Sequence, residues 1–302
     1  MPLRRPALNR LCTGLAWLLA LALSGVGVAH AAPVPVVAAE STYGAIAQAI
    51  GGPYVRVDSI LRSPDVDPHT FEATPATART VAQARIALLN GLGYDEWMRK
   101  LLTAAPSPRR EVVVAADVGR AWVMADGNPH IFYDTRVAEA VAARVAAWLQ
   151  RDDPAHAADF ARNLRDFRAA LAAVDARVAQ LRRAHPGLAV TATEPVFGYM
   201  LRALGWPSAG QRFQFDVMNG TEPPPAVVAR FEDELRHRRV VLLVYNRQVS
   251  EPVTQRMREI AAHASIARVG VDEIAPPGVG YAAWLQRSLD AVDAALRGVA
   301  LR

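Results

Sequence analysis

Phe160, Leu164, Phe167, Leu171, Val174, Val178 and Leu181 recur at spacings of four and three. Such a row lies on one face of a single helix, and it predicts an uninterrupted helix from about Pro154 to Ala184. At 1.5 Å per residue that helix is roughly 40 Å long, enough to span a domain. A coiled-coil dimer would show the same stripe, but only about four heptads are present, and a new series of strands and helices follows at once. The pattern favours a spine inside one molecule, with something built on either end.

What flanks the spine is repetitive in architecture. Before it, apolar runs at Pro35 to Ala39, Val55 to Leu61, Ile86 to Leu89 and Glu111 to Ala115 read as strands, with helical periodicity over Tyr43 to Ile50, Ala76 to Ala84, Trp97 to Leu102 and Asp134 to Leu149. After it come strands at Leu188 to Ala192, Val240 to Tyr245 and Ala267 to Val271, and helices at Val196 to Leu204, Pro225 to Arg236, Pro252 to Ala264 and Tyr281 to Leu296. Alternation of this kind predicts an α/β fold: two lobes with mostly parallel sheets flanked by helices, joined by one long spine helix. The partition it implies is an N-terminal lobe over residues 32–153, the linking helix over 154–185 and a C-terminal lobe over 186–302. A crevice between lobes is the usual place for a small ligand.

The first 31 residues read as a cleaved secretory signal: Arg4, Arg5 and Arg10, an apolar run from Leu11 to Val28, then Ala29-His30-Ala31 as a small-x-small site. A membrane anchor would want a basic flank after the run, and none follows. Cys12, the only cysteine, stands at the start of the run, whereas a lipid-bearing cysteine stands just after it. The mature chain then has no thiol, so a metal would have to be held by histidines and carboxylates. Without the three leader arginines, 31 basic residues stand against 29 acidic ones. That near balance gives no support to a nucleic-acid role.

Two histidines sit in loops with a proline before and an aromatic after: Asp67-Pro68-His69-Thr70-Phe71 and Asn128-Pro129-His130-Ile131-Phe132. The proline stiffens the backbone and restricts the imidazole, as a metal ligand requires. His156, His185, His237 and His263 fall at helix ends or in helices, where a solvated or capping role suffices. Glu194 and Asp272 each directly follow a strand of the second half, where open α/β sheets place ligands, although helix capping would also account for an acid there.

With these residues in hand the chain resembles the substrate-binding proteins of metal ABC transporters, the group of zinc and manganese receptors. The resemblance runs from about Val36 to Leu296. It rests on Asp67-Pro68-His69 with Pro75, Asn90-Gly91-Leu92-Gly93 with Trp97, Asn128-Pro129-His130 with Tyr133-Asp134, Glu194-Pro195-Val196-Phe197-Gly198-Tyr199, Glu222-Pro223 and Val271-Asp272, in that order. It implies four metal ligands, His69, His130, Glu194 and Asp272, with Glu273 as an adjacent alternative to the last. It also implies a monomeric periplasmic receptor that carries one divalent ion, Mn²⁺ or Zn²⁺, to a membrane permease. Gly91 and Gly93 lack the spacing of a dinucleotide fingerprint and read as turn residues.

Two features depart from dedicated zinc receptors. The stretch Ala121 to Gly127 is short and has no histidine, and Glu194 stands where a third histidine is common. Two nitrogens and two carboxylates resemble the manganese-binding members, yet zinc binds most such donor sets more tightly, so selectivity must come from geometry. With neutral imidazoles and two anions the site cancels a 2+ charge, and acid should release the ion. The spine helix should restrict lobe motion to small shifts. A zinc-dependent hydrolase is the rival reading, since two histidines and a carboxylate also bind catalytic zinc, but no HExxH occurs. A metallochaperone or adhesin that keeps the binding fold is a third.

Overall fold

Two four-stranded parallel sheets, one from each half of the chain, frame the protein in a computed structural model that describes residues 32–63 and 71–298. The signal segment lies outside the described residues, and Val34 begins the compact unit that carries both sheets. The first half runs β1 (Val34–Glu40), α1 (Ser41–Gly51), β2 (Val55–Leu61), α2 (Pro75–Gln83), β3 (Ile86–Leu89), α3 (Glu96–Ala104) and β4 (Glu111–Val114). A short helix α4 (Ala115–Val118) and α5 (Thr135–Asp152) lead to the spine, α6 (Ala157–Ala184). The second half runs β5 (Val190–Ala192), α7 (Gly198–Leu204), β6 (Ser208–Ala209), α8 (Gln211–Met218), α9 (Pro225–Arg236), β7 (Leu242–Asn246), α10 (Pro252–His263), β8 (Ala267–Val271) and α11 (Tyr281–Arg297).

The sheets repeat one topology, β2-β1-β3-β4 and β6-β5-β7-β8, with every pairing parallel. Within each sheet all carboxyl ends therefore meet at one edge. The order reverses beside β1 in one sheet and beside β5 in the other, and ligands of open α/β sheets bind at such switch points. Glu40, Asn90, Thr193, Asn246 and Asp272 end or directly follow β1, β3, β5, β7 and β8.

Burial follows the two-residue period of a strand. In β1, Val36 and Ala38 join the main core, whereas Val37 and Ala39 face a smaller cluster with Val81 of α2 and Met98 of α3. In the second sheet, Leu242 and Val244 join the main core, and Leu243 packs with Phe213, Phe231 and Met257 from α8, α9 and α10. The main core is continuous through the spine: Phe160, Phe167, Leu171, Val174, Val178 and Leu181 of α6 touch residues of both halves. At 28 residues α6 is about 42 Å long. Its first turn is a separate 3-10 segment, Pro154–His156.

The strands and α-helices absent from the sequence reading are β6, α4 and α8, and α4 is a single turn of four residues. β6 is a two-residue edge strand, too short for any alternation to register. In α8, Phe213, Phe215 and Val217 alternate with Gln214 and Asp216, a two-residue period that masks the helix.

Candidate metal site

The second proline-histidine loop lies between the sheets. His130 is fully buried. Asn128 Oδ1 accepts the His130 backbone N–H at 3.0 Å and lies 2.8 Å from Nδ1. An acceptor at that position makes Nδ1 the protonated nitrogen of the neutral ring, so Nε2 carries the lone pair. The amide of Asn128 donates across to Pro195 O at 2.7 Å, which joins the His130 loop to the loop that carries Glu194. Tyr94 and Phe132 stand edge-on to the imidazole, at centroid distances of 5.9 and 5.7 Å.

Glu273 is the carboxylate that faces this histidine. Its Oε2 lies 3.4 Å from His130 Nε2 and accepts the Tyr94 hydroxyl at 2.7 Å. Its Oε1 accepts Asn246 Nδ2 at 2.5 Å, and the same Nδ2 donates to Glu194 Oε2 at 2.5 Å. Glu194, Asn246 and Glu273 are all buried. Among the described residues no three donors from His, Asp and Glu converge on one point. His130 and Glu273 make a pair, and Asn246 ties Glu194 to it.

Asp272 is placed otherwise. Its two oxygens accept a two-point grip from Arg247, Nε to Oδ1 at 2.6 Å and a terminal nitrogen to Oδ2. Its carbonyl accepts the Tyr133 hydroxyl at 2.6 Å. Successive side chains past the end of an extended strand point to opposite sides, so of two neighbouring acids only one can face the interior of the site. The described contacts bring His130, Glu194 and Glu273 together and leave Asp272 with Arg247.

The first sheet contributes a rim of buried polar groups. Asp95 accepts the backbone N–H groups of Asn90 at 2.5 Å and Gly91 at 2.9 Å. These bonds anchor the start of the Gly91-Leu92-Gly93 turn, whose residues all have positive φ, so the Gly91 amide serves Asp95. Burial raises the Asp95 carboxyl to about 6. Asn90 in turn accepts Tyr43 Oη at 2.6 Å and donates to Pro129 O at 2.8 Å, bracing the His130 loop. Glu40, at the end of β1, is buried, and neither of its oxygens has a hydrogen-bond partner among the described residues. Burial, then the charges of Asp95 and Glu273, push its carboxyl well above the usual range. Burial and then the Glu273 charge do the same to the Tyr94 phenol.

His69 lies outside the described residues. The chain leaves β2 at Leu61, at the carboxyl edge of the first sheet, and Phe71 packs on Trp97 with centroids 4.7 Å apart. The other histidines make local contacts: His156 stacks on Tyr54 and meets Asp153, His237 meets Asp233, and His185 caps the end of α6.

Tyr94 carries no signal in the sequence as a group that holds a donor, and Asn128 stands in the Asn128-Pro129-His130 motif without its role being legible there. Asn246 does carry a signal, a polar residue closing the apolar run of β7 at the strand end that Glu194 and Asp272 closely follow in β5 and β8.

A two-lobed α/β fold with a buried His–carboxylate cluster at its strand ends is an arrangement suited to holding a small ligand. The family described as zinc-uptake complex component A, periplasmic, matches residues 36–295, and the chain belongs to that family. It is 23% identical over 273 residues to the metal ABC transporter substrate-binding lipoprotein ScbA of Streptococcus cristatus, covering 85% of this chain and 87% of the relative. It is 24% identical over 274 residues to the manganese ABC transporter substrate-binding lipoprotein PsaA of Streptococcus anginosus, with coverage of 85% and 87%. The solved structure of the periplasmic zinc-binding protein TroA from Treponema pallidum superposes with a TM-score of 0.74 at 17% identity, over 88% of this chain and 99% of that one. The last comparison bears on the fold alone.

Proposed function

We propose that this protein is the exported receptor of a metal ABC transporter, binding one Mn²⁺ or Zn²⁺ ion between its lobes and passing it to a membrane permease. The donors are His69, His130, Glu194 and Glu273, with Glu273 in the place that the family resemblance gives to Asp272. The observation that carries this reading is the buried chain His130–Glu273–Asn246–Glu194. It joins a nitrogen donor of the first half to two carboxylates of the second, at the strand edge where such folds bind ligands. Two buried acids so close to each other are costly without a counter-charge, and a divalent cation supplies it. The lobes are 32–153 and 186–302 with 154–185 between them, and the leader directs the chain out of the cytoplasm.

Membership of a family of substrate-binding proteins supports transport over hydrolysis. Four protein donors would close the coordination shell, whereas a catalytic zinc keeps a position open for water. The test is native mass spectrometry with elemental analysis of the chain from Ala32, followed by Mn²⁺/Zn²⁺ competition. One bound divalent ion is expected, lost in His130→Ala, Glu194→Ala and Glu273→Ala. Wild-type affinity in all three variants would sink the proposal.

A further inference from the structure

Asn246 stands between the two carboxylates, and its orientation is fixed. Its Oδ1 accepts the Gln248 backbone N–H at 3.0 Å, which only the carbonyl end of the amide can do, so the NH₂ end must point at the acids. Its own backbone N–H is held by Thr193 Oγ1 at 3.3 Å, and the side chain is buried at the end of β7. The NH₂ group spends one hydrogen on Glu194 Oε2 and the other on Glu273 Oε1. The opposite oxygen of Glu273, Oε2, is the one beside His130 Nε2.

Two-oxygen binding by a carboxylate requires both oxygens to turn onto the ion. Asn246 retains one oxygen of each acid through a hydrogen bond to a charged acceptor, the stronger kind. We infer that Asn246 is a specificity-determining residue: it holds Glu194 and Glu273 to one-oxygen binding and thereby sets the site for a four-coordinate ion of the zinc class over Mn²⁺. Mn²⁺ favours about six oxygen-rich ligands, and in this site it would draw the extra ones from second carboxylate oxygens. Zinc is satisfied by about four donors in a tetrahedron. The inference rests on the site proposed above and adds to it a direction of selectivity, assigned to a residue that is not itself a ligand.

The experiment compares wild type, Asn246→Ala and Asn246→Ser, all from Ala32 and stripped of metal. Zn²⁺ and Mn²⁺ affinities are measured by chelator competition, and the number of oxygen and nitrogen neighbours of each bound ion by X-ray absorption. Wild type should hold zinc with about four neighbours. The Asn246 variants should shift the Mn²⁺-to-Zn²⁺ affinity ratio at least about tenfold toward Mn²⁺, within the range seen when groups supporting a ligand are removed. The neighbour count of bound Mn²⁺ should rise by about one or two, as carboxylates swing to two-oxygen binding. Tyr94→Phe serves as a control, because Tyr94 donates to the His130-facing oxygen of Glu273. It should weaken both ions and leave their ratio in place.

Equal weakening of both ions in the Asn246 variants, with unchanged neighbour counts, would overturn the inference and leave Asn246 as structural support. If neither variant folds by circular dichroism, the wild-type absorption spectrum decides: zinc held by two-oxygen carboxylates contradicts it. A wild type that binds neither ion overturns the site reading itself, a result distinct from a zinc-binding wild type whose variants keep its ratio.

Discussion

Arg247 grips the carboxylate of Asp272 at both oxygens, while the next residue, Glu273, presents Oε2 to the ring of His130. Two adjacent buried acids at the end of β8 thus take different partners, one a half-exposed guanidinium and the other the His130 ring.

This division gives opposite outcomes for two isosteric substitutions. Glu273→Gln should weaken metal binding at least about 100-fold, or about 2.7 kcal/mol, because it removes an anion from the donor set. Asp272→Asn should leave affinity within about threefold and lower stability by about 1 kcal/mol, the scale of one weakened, partly solvated ion pair. Metal-dependent shifts in melting temperature report both, since saturating ligand at about 1,000 times Kd stabilises the native state by roughly 4 kcal/mol. Glu273→Gln should lose the shift and Asp272→Asn should keep it. The reverse pattern would restore Asp272 as the fourth donor.

Gly198 opens α7 directly under the Asn128 amide. A Cβ built there would lie 2.6 Å from Asn128 Nδ2, closer than such contacts allow. Gly198→Ala should therefore displace Asn128 from Pro195 O and from His130 Nδ1 together. The expected cost is about 1–3 kcal/mol in denaturant-derived stability, with a loss of metal affinity of about 10-fold or more, since the imidazole loses its orienting partner. Unchanged affinity would mean that the amide does not orient the ring.

The fold was readable because its signals are local and repeated. The stripe from Phe160 to Leu181 specifies one helix whatever surrounds it, the β1, β3 and β7 runs are apolar enough to be strands buried on both faces, and β8 alternates as an edge strand with one buried face. β6, α4 and α8 escaped because a two-residue strand and a four-residue helix have no period, and because Phe213, Phe215 and Val217 of α8 alternate with polar residues as a strand would. The site was half readable. Proline-flanked histidines and acids after strands mark candidate donors; of these His130 and Glu194 are buried, and His69 lies outside the described residues. Choosing between Asp272 and Glu273 depends on Arg247, which is 25 residues away in sequence but one strand away in the sheet. The same holds for Asn246, whose two acceptors come from loops after β5 and β8.

Leu92 sits at φ 56° between Gly91 at 83° and Gly93 at 81°, and it is 41% exposed. A non-glycine residue in this left-handed region costs about 1–2 kcal/mol. Replacement by glycine removes that strain and adds unfolded-state entropy worth about 0.5–1 kcal/mol. Leu92→Gly should thus raise unfolding free energy by up to about 1 kcal/mol with metal affinity unchanged. Destabilisation by more than about 1 kcal/mol would show that the leucine side chain makes a contribution its exposure does not suggest.

Asp95 links this turn to pH. Its carboxyl titrates at about 6 in the folded protein against 3.8 for the free side chain, because burial outweighs the stabilising bonds from Asn90 and Gly91. Below both values the group is neutral in either state, and its ionisation changes nothing. Between them the folded state holds a proton that the unfolded chain has released, so stability falls as pH rises through the window. Above about 6 the full cost of the buried charge is present, on the order of 3 kcal/mol. Asp95→Asn keeps an acceptor for one backbone N–H but has no charge to bury. On metal-free protein, the stability of Asp95→Asn relative to wild type should therefore improve by on the order of 2–3 kcal/mol between pH 4 and pH 7, and level off above. Urea unfolding at half-unit pH steps measures the difference directly. A constant difference across that range would mean that Asp95 ionises in the folded protein as it does in the unfolded chain.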